Sequence, residues 1–257
     1  MTKKQKIFGV IVLVLLLGTI GYLSFAVKTD SEFKIEIISL EGNIHLSKED
    51  YMKFANLSDR KEYSQLTMQI IKDRIEKHPY VQSADVRYDG KGKVSVKVNE
   101  KVFDSLLMNG EEQYILTENL QVLPFMSETK KIDYPVISNA WINKIKILSS
   151  LKNNGDVVTA SKIISGIKLI NAELYDGLSN IDMRNGGDIL LSFSFLDYPV
   201  IVGRGNEIRK IVYFNSFWTY LKGKEINNYM EYVDLRYSNH VYLGITQENL
   251  EAGEKQS

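Results

Sequence analysis

Near its start the chain has a long run of apolar residues without a charged side chain. The run covers 21 positions from Ile7 to Val27, and three lysines precede it within residues 1–6. About 20 apolar residues in a helix span the core of a bilayer, and a helix without a polar face does not suit a soluble domain. Because positive charge favours the cytoplasmic side, the pattern predicts a cytoplasmic tail at 1–6, a transmembrane helix at 7–27 and the remaining chain outside.

A cleaved signal peptide is the alternative interpretation of this run. The small residues Ser24 and Ala26 suit a cleavage site. The run is, however, longer than the roughly 7–15 apolar residues usual in signal peptides. Its length favours an anchor that stays attached, and N-terminal sequencing of the mature protein distinguishes the two interpretations.

Residues 33–101 have the periodicities of three strands and two helices. A β-forming stretch opens the block, and Ser47 with Asp50 then has the spacing of a helix capping box. Thr67 precedes apolar positions that recur at helical spacing. Valines alternate with polar residues over positions 94–98, as in a half-buried strand. The order predicts a β-α-α-β-β unit.

Residues 102–246 predict a β-rich domain with two to three helices. Apolar positions at helical spacing predict a short helix over residues 142–151 and a longer one from about 159 to 174. A third apolar stripe predicts a helix over residues 206–221. Strand patterns and turn signals fill most of the remainder, so the fold class is α+β behind a single N-terminal membrane helix.

The last predicted element of this domain is a β-hairpin. Its strands are Tyr229–Tyr237 and Val241–Thr246, and Ser238–His240 forms the turn. Asp234 and Arg236 lie one pleat apart in the first strand, which favours a surface ion pair. Residues 247–257 are polar and predict a flexible tail.

Composition excludes several chemistries. The 257 residues include 32 Lys and Arg, 32 Asp and Glu, and no cysteine. Without cysteine there is no disulfide, thiol nucleophile or thiolate metal site. Residues 28–257 hold 29 basic and 32 acidic side chains, so their net charge of −3 does not favour nucleic acid.

No pattern in the chain predicts a catalytic, cofactor-binding or metal site. The three histidines, His45, His78 and His240, lie in different elements and lack the spacing of a zinc protease. Gly203 and Gly205 lack the third glycine of a dinucleotide site, so they predict a turn between a strand and a helix. We expect a protein that is not an enzyme and that carries no cofactor.

Three motifs in the first extracytoplasmic block resemble a POTRA domain, the polypeptide-transport-associated module. They are I-x-L-E-G-N from Ile38 to Asn43, P-x-V-x-x-A-x-V from Pro79 to Val86, and V-x-V-N-E from Val96 to Glu100. The resemblance implies a POTRA domain at residues 33–101.

The order of the whole chain is similar to the FtsQ/DivIB family of bacterial cell-division proteins. Its C-terminal signature is Y-V-D-L-R-Y from Tyr232 to Tyr237, shortly after V-x-V-G-R-G from Val200 to Gly205. The resemblance implies a non-catalytic single-pass scaffold of the divisome at the division site. It would lie in the cell inner membrane, with both folded domains periplasmic and an FtsQ-like β-domain at residues 102–246.

The resemblance also implies partners. An FtsB/DivIC-like and an FtsL-like protein would bind the β-domain to control septal wall synthesis, and other divisome membrane proteins would bind the POTRA domain. Neither nucleic acid nor a small-molecule substrate is implied. A terminal strand at a sheet edge has free backbone groups to which a partner strand can be added. By position, the contacting residues are Arg236, Tyr237, Ser238, Asn239, Val241, Leu243 and Ile245.

Two other interpretations stay open at this point. POTRA domains also occur in outer-membrane protein translocation, but those proteins need a barrel of many strands about ten residues long. A secreted cell-wall enzyme would need the signal peptide and a convergent catalytic site. Fractionation tests the first interpretation, and an assay of peptidoglycan hydrolysis tests the second.

Overall fold

The computed structural model describes residues 12–22, 34–238 and 240–245. The predicted tails at 1–6 and 247–257 lie outside the described residues. So do the ends of the predicted membrane segment, including Ser24 and Ala26.

Residues 12–22, here α1, are helical and exposed, and they belong to the apolar segment predicted to cross the membrane. In the part of the chain that the structure describes, no helix has the length and apolar character that a membrane crossing needs.

The first folded unit has the predicted β-α-α-β-β order, with a 3-10 helix at Arg60–Gln65 between its helices. The regular elements are β1 Ile37–Glu41, α2 Lys48–Phe54, α3 Met68–Glu76, β2 Val81–Gly90 and β3 Lys93–Glu100. Strand β3 is central in the three-stranded sheet, parallel to β1 and antiparallel to β2.

Local side-chain chemistry sets where these helices begin. The Asp50 backbone N–H donates to Ser47 Oγ over 3.2 Å, and the Ser47 N–H donates to the Asp50 carboxylate over 3.1 Å. This capping box satisfies N–H groups that the first helical turn leaves without partners. Thr67 caps α3 in a similar way by accepting from the Ile70 N–H. Ile71 and Ile75, one turn apart, are fully buried against the sheet.

The second unit is built on a nine-stranded sheet. Its strands are β4 Phe103–Asn109, β5 Glu112–Thr117, β6 Val122–Pro124, β7 Val136–Ser138, β8 Leu178–Asp182, β9 Leu190–Phe193, β10 Val200–Ile201, β11 Met230–Asp234 and β12 Tyr242–Ile245. Their order in the sheet is β12-β11-β10-β9-β8-β7-β4-β5-β6. The helices pack on the sheet around one large apolar core. The α-helices are α4 Gly155–Ile170, α5 Ala172–Gly177 and α6 Glu207–Leu221, and 3-10 helices lie at Arg184–Gly186 and Glu225–Tyr229.

The prediction of a helix over residues 142–151 is wrong. This segment runs alongside β6: the Leu148 N–H donates to the Val122 carbonyl over 2.7 Å, and the Val122 N–H donates to the Ser149 carbonyl over 2.9 Å. Leu148 has a φ of 65°, which a helix does not allow. Pairing with a strand some 25 residues earlier therefore overrides the helical spacing of the apolar residues.

The two units share a core. Phe103, Ile115 and Leu123, from the first strands of the second unit, belong to the same buried cluster as Tyr80 and the apolar residues of the first. The Tyr80 hydroxyl donates to the Pro124 carbonyl over 2.9 Å, across the boundary between the units. The boundary is therefore a packed interface.

Candidate functional site

Strand β12 forms one end of the nine-stranded sheet. It is antiparallel to β11, with Tyr232 opposite Gly244, Val233 opposite Leu243 and Asp234 opposite Tyr242. Among the described residues, no strand pairs with the other side of β12. The predicted hairpin is thus present, and its second strand is a sheet edge.

The hydrogen bonds of β11 show which N–H and C=O groups of β12 point away from the sheet. The Val233 N–H donates to the Pro199 carbonyl over 3.1 Å, so the peptide groups of Val233 point toward β10. Because peptide groups alternate along a strand, those of its neighbours in β11 point toward β12. Leu243, opposite Val233, therefore directs its N–H and C=O away from the sheet. Val241 lies just before β12, and Ile245 at its end is opposite Met230, beyond a register shift in β11, so the regular alternation applies directly around Leu243.

The opposite end of the sheet is occupied. The segment that follows Leu148 bonds to β6, and the Leu151 N–H donates to the Leu120 carbonyl over 2.8 Å. Gln121 also donates from its side chain to the Leu148 carbonyl. This contrast makes β12 the end of the sheet at which another strand can be added.

Tyrosines cover the outer face of the hairpin. Tyr237 and Tyr242 are 54% and 51% exposed, and their rings pack edge to face with centroids 4.9 Å apart. The ring of Tyr232 lies on Gly244, where an added Cβ would come within 2.3 Å of it. The side chains of Val241 and Leu243 instead pack partly against the core. A partner at this edge would therefore contact exposed aromatic rings beside the free backbone groups.

Arg236 and Asp234 form an ion pair, but not the surface pair that was predicted. Arg236 follows β11 rather than lying within it, and its guanidinium is 2.6 Å from the carboxylate of Asp234, whose side chain is only 5% exposed. Asp188 pairs with the same guanidinium at 2.8 Å. The hydrogen bond from Arg236 outweighs burial and holds the pKa of Asp234 below its usual value. Asp188 lies 48 residues upstream of Arg236, beyond the reach of sequence spacing.

A groove beside the hairpin adds residues of α6 that the sequence did not single out. Ser238 and His240 line one side, and Arg209, Lys210 and Tyr213 line the other. The Arg209 guanidinium donates to the Tyr213 hydroxyl over 2.9 Å. Their spacing of four residues puts both on one helix face, yet only the fold shows that this face adjoins the hairpin. Asn239, the remaining predicted contact residue, lies outside the described residues.

The glycines predicted to make a turn do so. Gly203 and Gly205 have φ values of 65° and 82°, in the turn between β10 and α6. Left-handed backbone of this kind suits glycine, which has no Cβ.

Two of the three histidines are buried and one is exposed. His45 and His78 are buried in the first unit, whereas His240 is exposed beside the hairpin. Burial lowers the pKa of His78 to about 4. Over the residues that the structure describes, no three His, Cys, Asp or Glu side chains cluster as metal ligands.

Comparison with known families agrees with the fold of the first unit. The family model described as "POTRA domain, FtsQ-type" matches residues 33–101. Residues 33–101 form a POTRA domain of the FtsQ type. The three motifs named above lie within this match.

Two relatives extend the likeness beyond the POTRA domain. The cell division protein FtsQ of Syntrophotalea carbinolica is 22% identical over 228 residues, 86% of this chain and 76% of its own length. The cell division protein FtsQ of Geotalea daltonii is 23% identical over 242 residues, 94% of this chain and 86% of its own length. These matches confirm the resemblance to the FtsQ family. The chain has a mixed α+β fold, in which a β-rich domain follows the POTRA domain.

Proposed function

We propose that this chain is a non-catalytic scaffold protein of bacterial cell division, which binds a partner by β-strand addition at β12. The free backbone groups of Leu243 at the end of the nine-stranded sheet carry the proposal. The two relatives named cell division protein FtsQ support the process in which it acts.

The partner in this proposal is an FtsB/DivIC-like protein, bound together with an FtsL-like one. A strand that pairs with β12 exchanges hydrogen bonds with Leu243 and with its alternate neighbours Val241 and Ile245. Backbone bonds supply affinity for any extended segment, so selectivity must come from side chains. Tyr237 and Tyr242 are suited to that role because large exposed aromatic rings are frequent contact residues.

The location in this proposal is the inner membrane at the division site. Residues 7–27 anchor the chain once, with residues 1–6 in the cytoplasm and both folded domains in the periplasm. The apolar run and the lysines before it support this orientation. The POTRA domain then lies next to the membrane, where other divisome membrane proteins can contact it.

Leu243→Pro tests strand addition directly. Proline has no N–H, and it is tolerated where the lost N–H does not face a neighbouring strand. We expect the pairing of β11 with β12 to persist, while affinity for the FtsB-like protein falls at least about tenfold, because one donor is lost and the partner carbonyl that it met is left unpaired. Binding is measured by titration with the purified periplasmic segment of that protein.

Leu243→Ala is the matched control, because it removes the same side chain and keeps the N–H. Its affinity should stay closer to that of the unchanged protein than the affinity of Leu243→Pro. Tyr237→Ala separately tests the aromatic contact. If both Leu243→Pro and Tyr237→Ala remain folded and bind normally, strand addition at this edge is wrong.

A fluorescent fusion and membrane fractionation test the location. We expect a band at the division site, and protein in the inner-membrane fraction that alkaline carbonate does not release. Recovery in the outer membrane would support a role in protein translocation instead. Hydrolysis of peptidoglycan by the purified protein would contradict the non-catalytic role.

A further inference from the structure

Arg236 is held by three separate parts of the β-domain. Its Nε and Nη2 groups donate to the Asp234 carboxylate over 3.0 and 2.6 Å, and its Nη1 group donates to Asp188 over 2.8 Å. Its aliphatic stem lies over Gly203, where an added Cβ would come within 2.7 Å of Arg236 Cγ. The side chain is nevertheless 40% exposed. It is therefore ordered and accessible at the same time.

The loop that carries Asp188 is itself fixed. The Val202 and Gly203 N–H groups both donate to the carbonyl of Ile189, the residue after Asp188. Arg204 donates to the carbonyl of Gly187, the residue before it, over 2.7 Å. The carboxylate of Asp188 is thus held on both sides by the turn between β10 and α6.

These contacts leave part of the guanidinium free. An arginine side chain has five N–H donors, and the two aspartates engage one on each of the three nitrogen atoms. One N–H on Nη1 and one on Nη2 are left for an acceptor on another molecule. A side chain already fixed in place loses less conformational entropy when it binds.

We propose that Asp188 is a positioning residue of the partner site: it holds Arg236, before the partner arrives, in the orientation that meets the partner. This rests on the proposed function, because Arg236 must contact the partner for its orientation to matter. Asp188 acts only through Arg236 and has no contact of its own with the partner. A purely structural role would instead contribute to stability whatever residue stands at position 236.

A double-mutant cycle separates these roles. Affinity for the FtsB-like periplasmic segment is measured for the full chain in detergent, unchanged and as Asp188→Asn, Arg236→Ala and the double variant. We expect Asp188→Asn alone to weaken binding about 3- to 10-fold, the effect of ordering one flexible side chain on binding. In the Arg236→Ala background the same change should have almost no further effect.

The matched control is Asp89→Asn, which removes an equal charge from an exposed position near the end of β2 in the POTRA domain. It should leave affinity for the FtsB-like segment unchanged. The effect of losing one negative charge is then distinguished from the effect of losing the contact between Asp188 and Arg236. The proposal would be overturned if Asp188→Asn lowered affinity by the same factor in the unchanged protein and in Arg236→Ala. It would also be overturned if Asp188→Asn alone bound with normal affinity. Thermal unfolding of each variant confirms that the domain is folded.

A second measurement needs no partner. The Nη1 protons of Arg236, one of which donates to Asp188, should exchange slowly with solvent in the free protein and at least several-fold faster in Asp188→Asn, as NMR can follow. Equal exchange rates would show that Asp188 does not order the guanidinium. If the unchanged protein fails to bind the FtsB-like segment while Asp188→Asn still alters exchange, the proposed function fails and the positioning contact stands without its role in binding.

Discussion

His45 Nδ1 lies 2.5 Å from Glu100 Oε2, and both side chains are almost completely buried. His45 also stacks on Phe103 with ring centroids 4.0 Å apart, and its Nε2 is 3.1 Å from the Tyr134 hydroxyl. Phe103 and Tyr134 belong to the β-domain, whereas Glu100 ends the last POTRA strand. The pair therefore ties the two domains together at their boundary.

The first prediction concerns Glu100, whose carboxylate accepts from the backbone N–H groups of Ile44 and His45 and from the Tyr51 hydroxyl. Glu100→Gln should lower the free energy of unfolding by about 2–4 kcal/mol, because it removes the charge that these donors surround. Denaturant titration measures the change. Tyr134→Phe, which removes one hydroxyl at the edge of the cluster, should cost only about 1 kcal/mol.

Glu100 should also contribute to acid sensitivity. Burial by itself would raise its pKa, but the bonds from His45, Ile44 and Tyr51 outweigh burial and leave the pKa below its ordinary value. A carboxyl whose pKa is lower in the folded state stabilises the fold above its unfolded-state pKa, and this stability is lost as pH falls through the folded value. Glu100→Gln should therefore flatten the acid side of the stability profile. An unchanged profile would contradict this assignment.

The second prediction is that both domains unfold together. Trp141 and Trp218, the two tryptophans of the chain, both lie in the β-domain, so their fluorescence reports that domain alone. Its unfolding curve should coincide with the circular dichroism curve of the whole protein, since the shared core couples the domains. Phe103→Ala should cost about 3–5 kcal/mol and separate the two curves. Separate curves in the unchanged protein would contradict the shared core.

The third prediction concerns pH and His78. Its ring is buried against Tyr51, Phe54 and Tyr80, and its Nδ1 accepts from the Tyr80 N–H. Because burial lowers its pKa to about 4, the unfolded chain binds a proton that the folded chain does not. Stability should therefore be complete above the ordinary histidine pKa and fall toward pH 4, by up to about 3 kcal/mol from this group.

His78→Asn tests this assignment, because its side-chain oxygen can still accept from the Tyr80 N–H. Denaturant titrations between pH 4 and 7 should show a shallower pH dependence for the variant. An equal slope in both proteins would mean that another group is responsible.

The fourth prediction compares two glycines with similar backbone conformation. Gly42 and Gly90 have φ values of 84° and 88°, but an added Cβ would come within 2.3 Å of the Val98 carbonyl at Gly42 and would meet nothing within 4 Å at Gly90. Gly90→Ala should cost about 1–2 kcal/mol for the left-handed backbone. Gly42→Ala should cost clearly more, because β3 must move, and equal costs in thermal unfolding would contradict the close approach.

Elements with local causes were predictable from the sequence. The capping box of Ser47 and Asp50, the cap at Thr67 and the alternating valines of β3 were all confirmed, because each depends on residues within a few positions. The predicted helix over residues 142–151 was wrong, because pairing with the distant strand β6 decides the conformation of that segment.

The candidate site divides in the same way. The signature from Tyr232 to Tyr237 placed the hairpin, and the resemblance indicated its contact residues. Which backbone groups of β12 point outward follows from the bond between Val233 and Pro199, 34 residues apart in sequence. The pairing of Asp188 with Arg236 likewise needs the fold.

By itself, the sequence determined the apolar segment at 7–27, the POTRA order of elements, the terminal hairpin and the family resemblance. These depend on periodicity, charge and short motifs, which act between near neighbours along the chain. Only the tertiary structure decided that β12 ends the sheet, that Asp188 holds Arg236, and that His45 and Glu100 join the domains. The two side-chain pairs join residues about 50 positions apart, and the sheet edge follows from the order of all nine strands. No local pattern records such contacts.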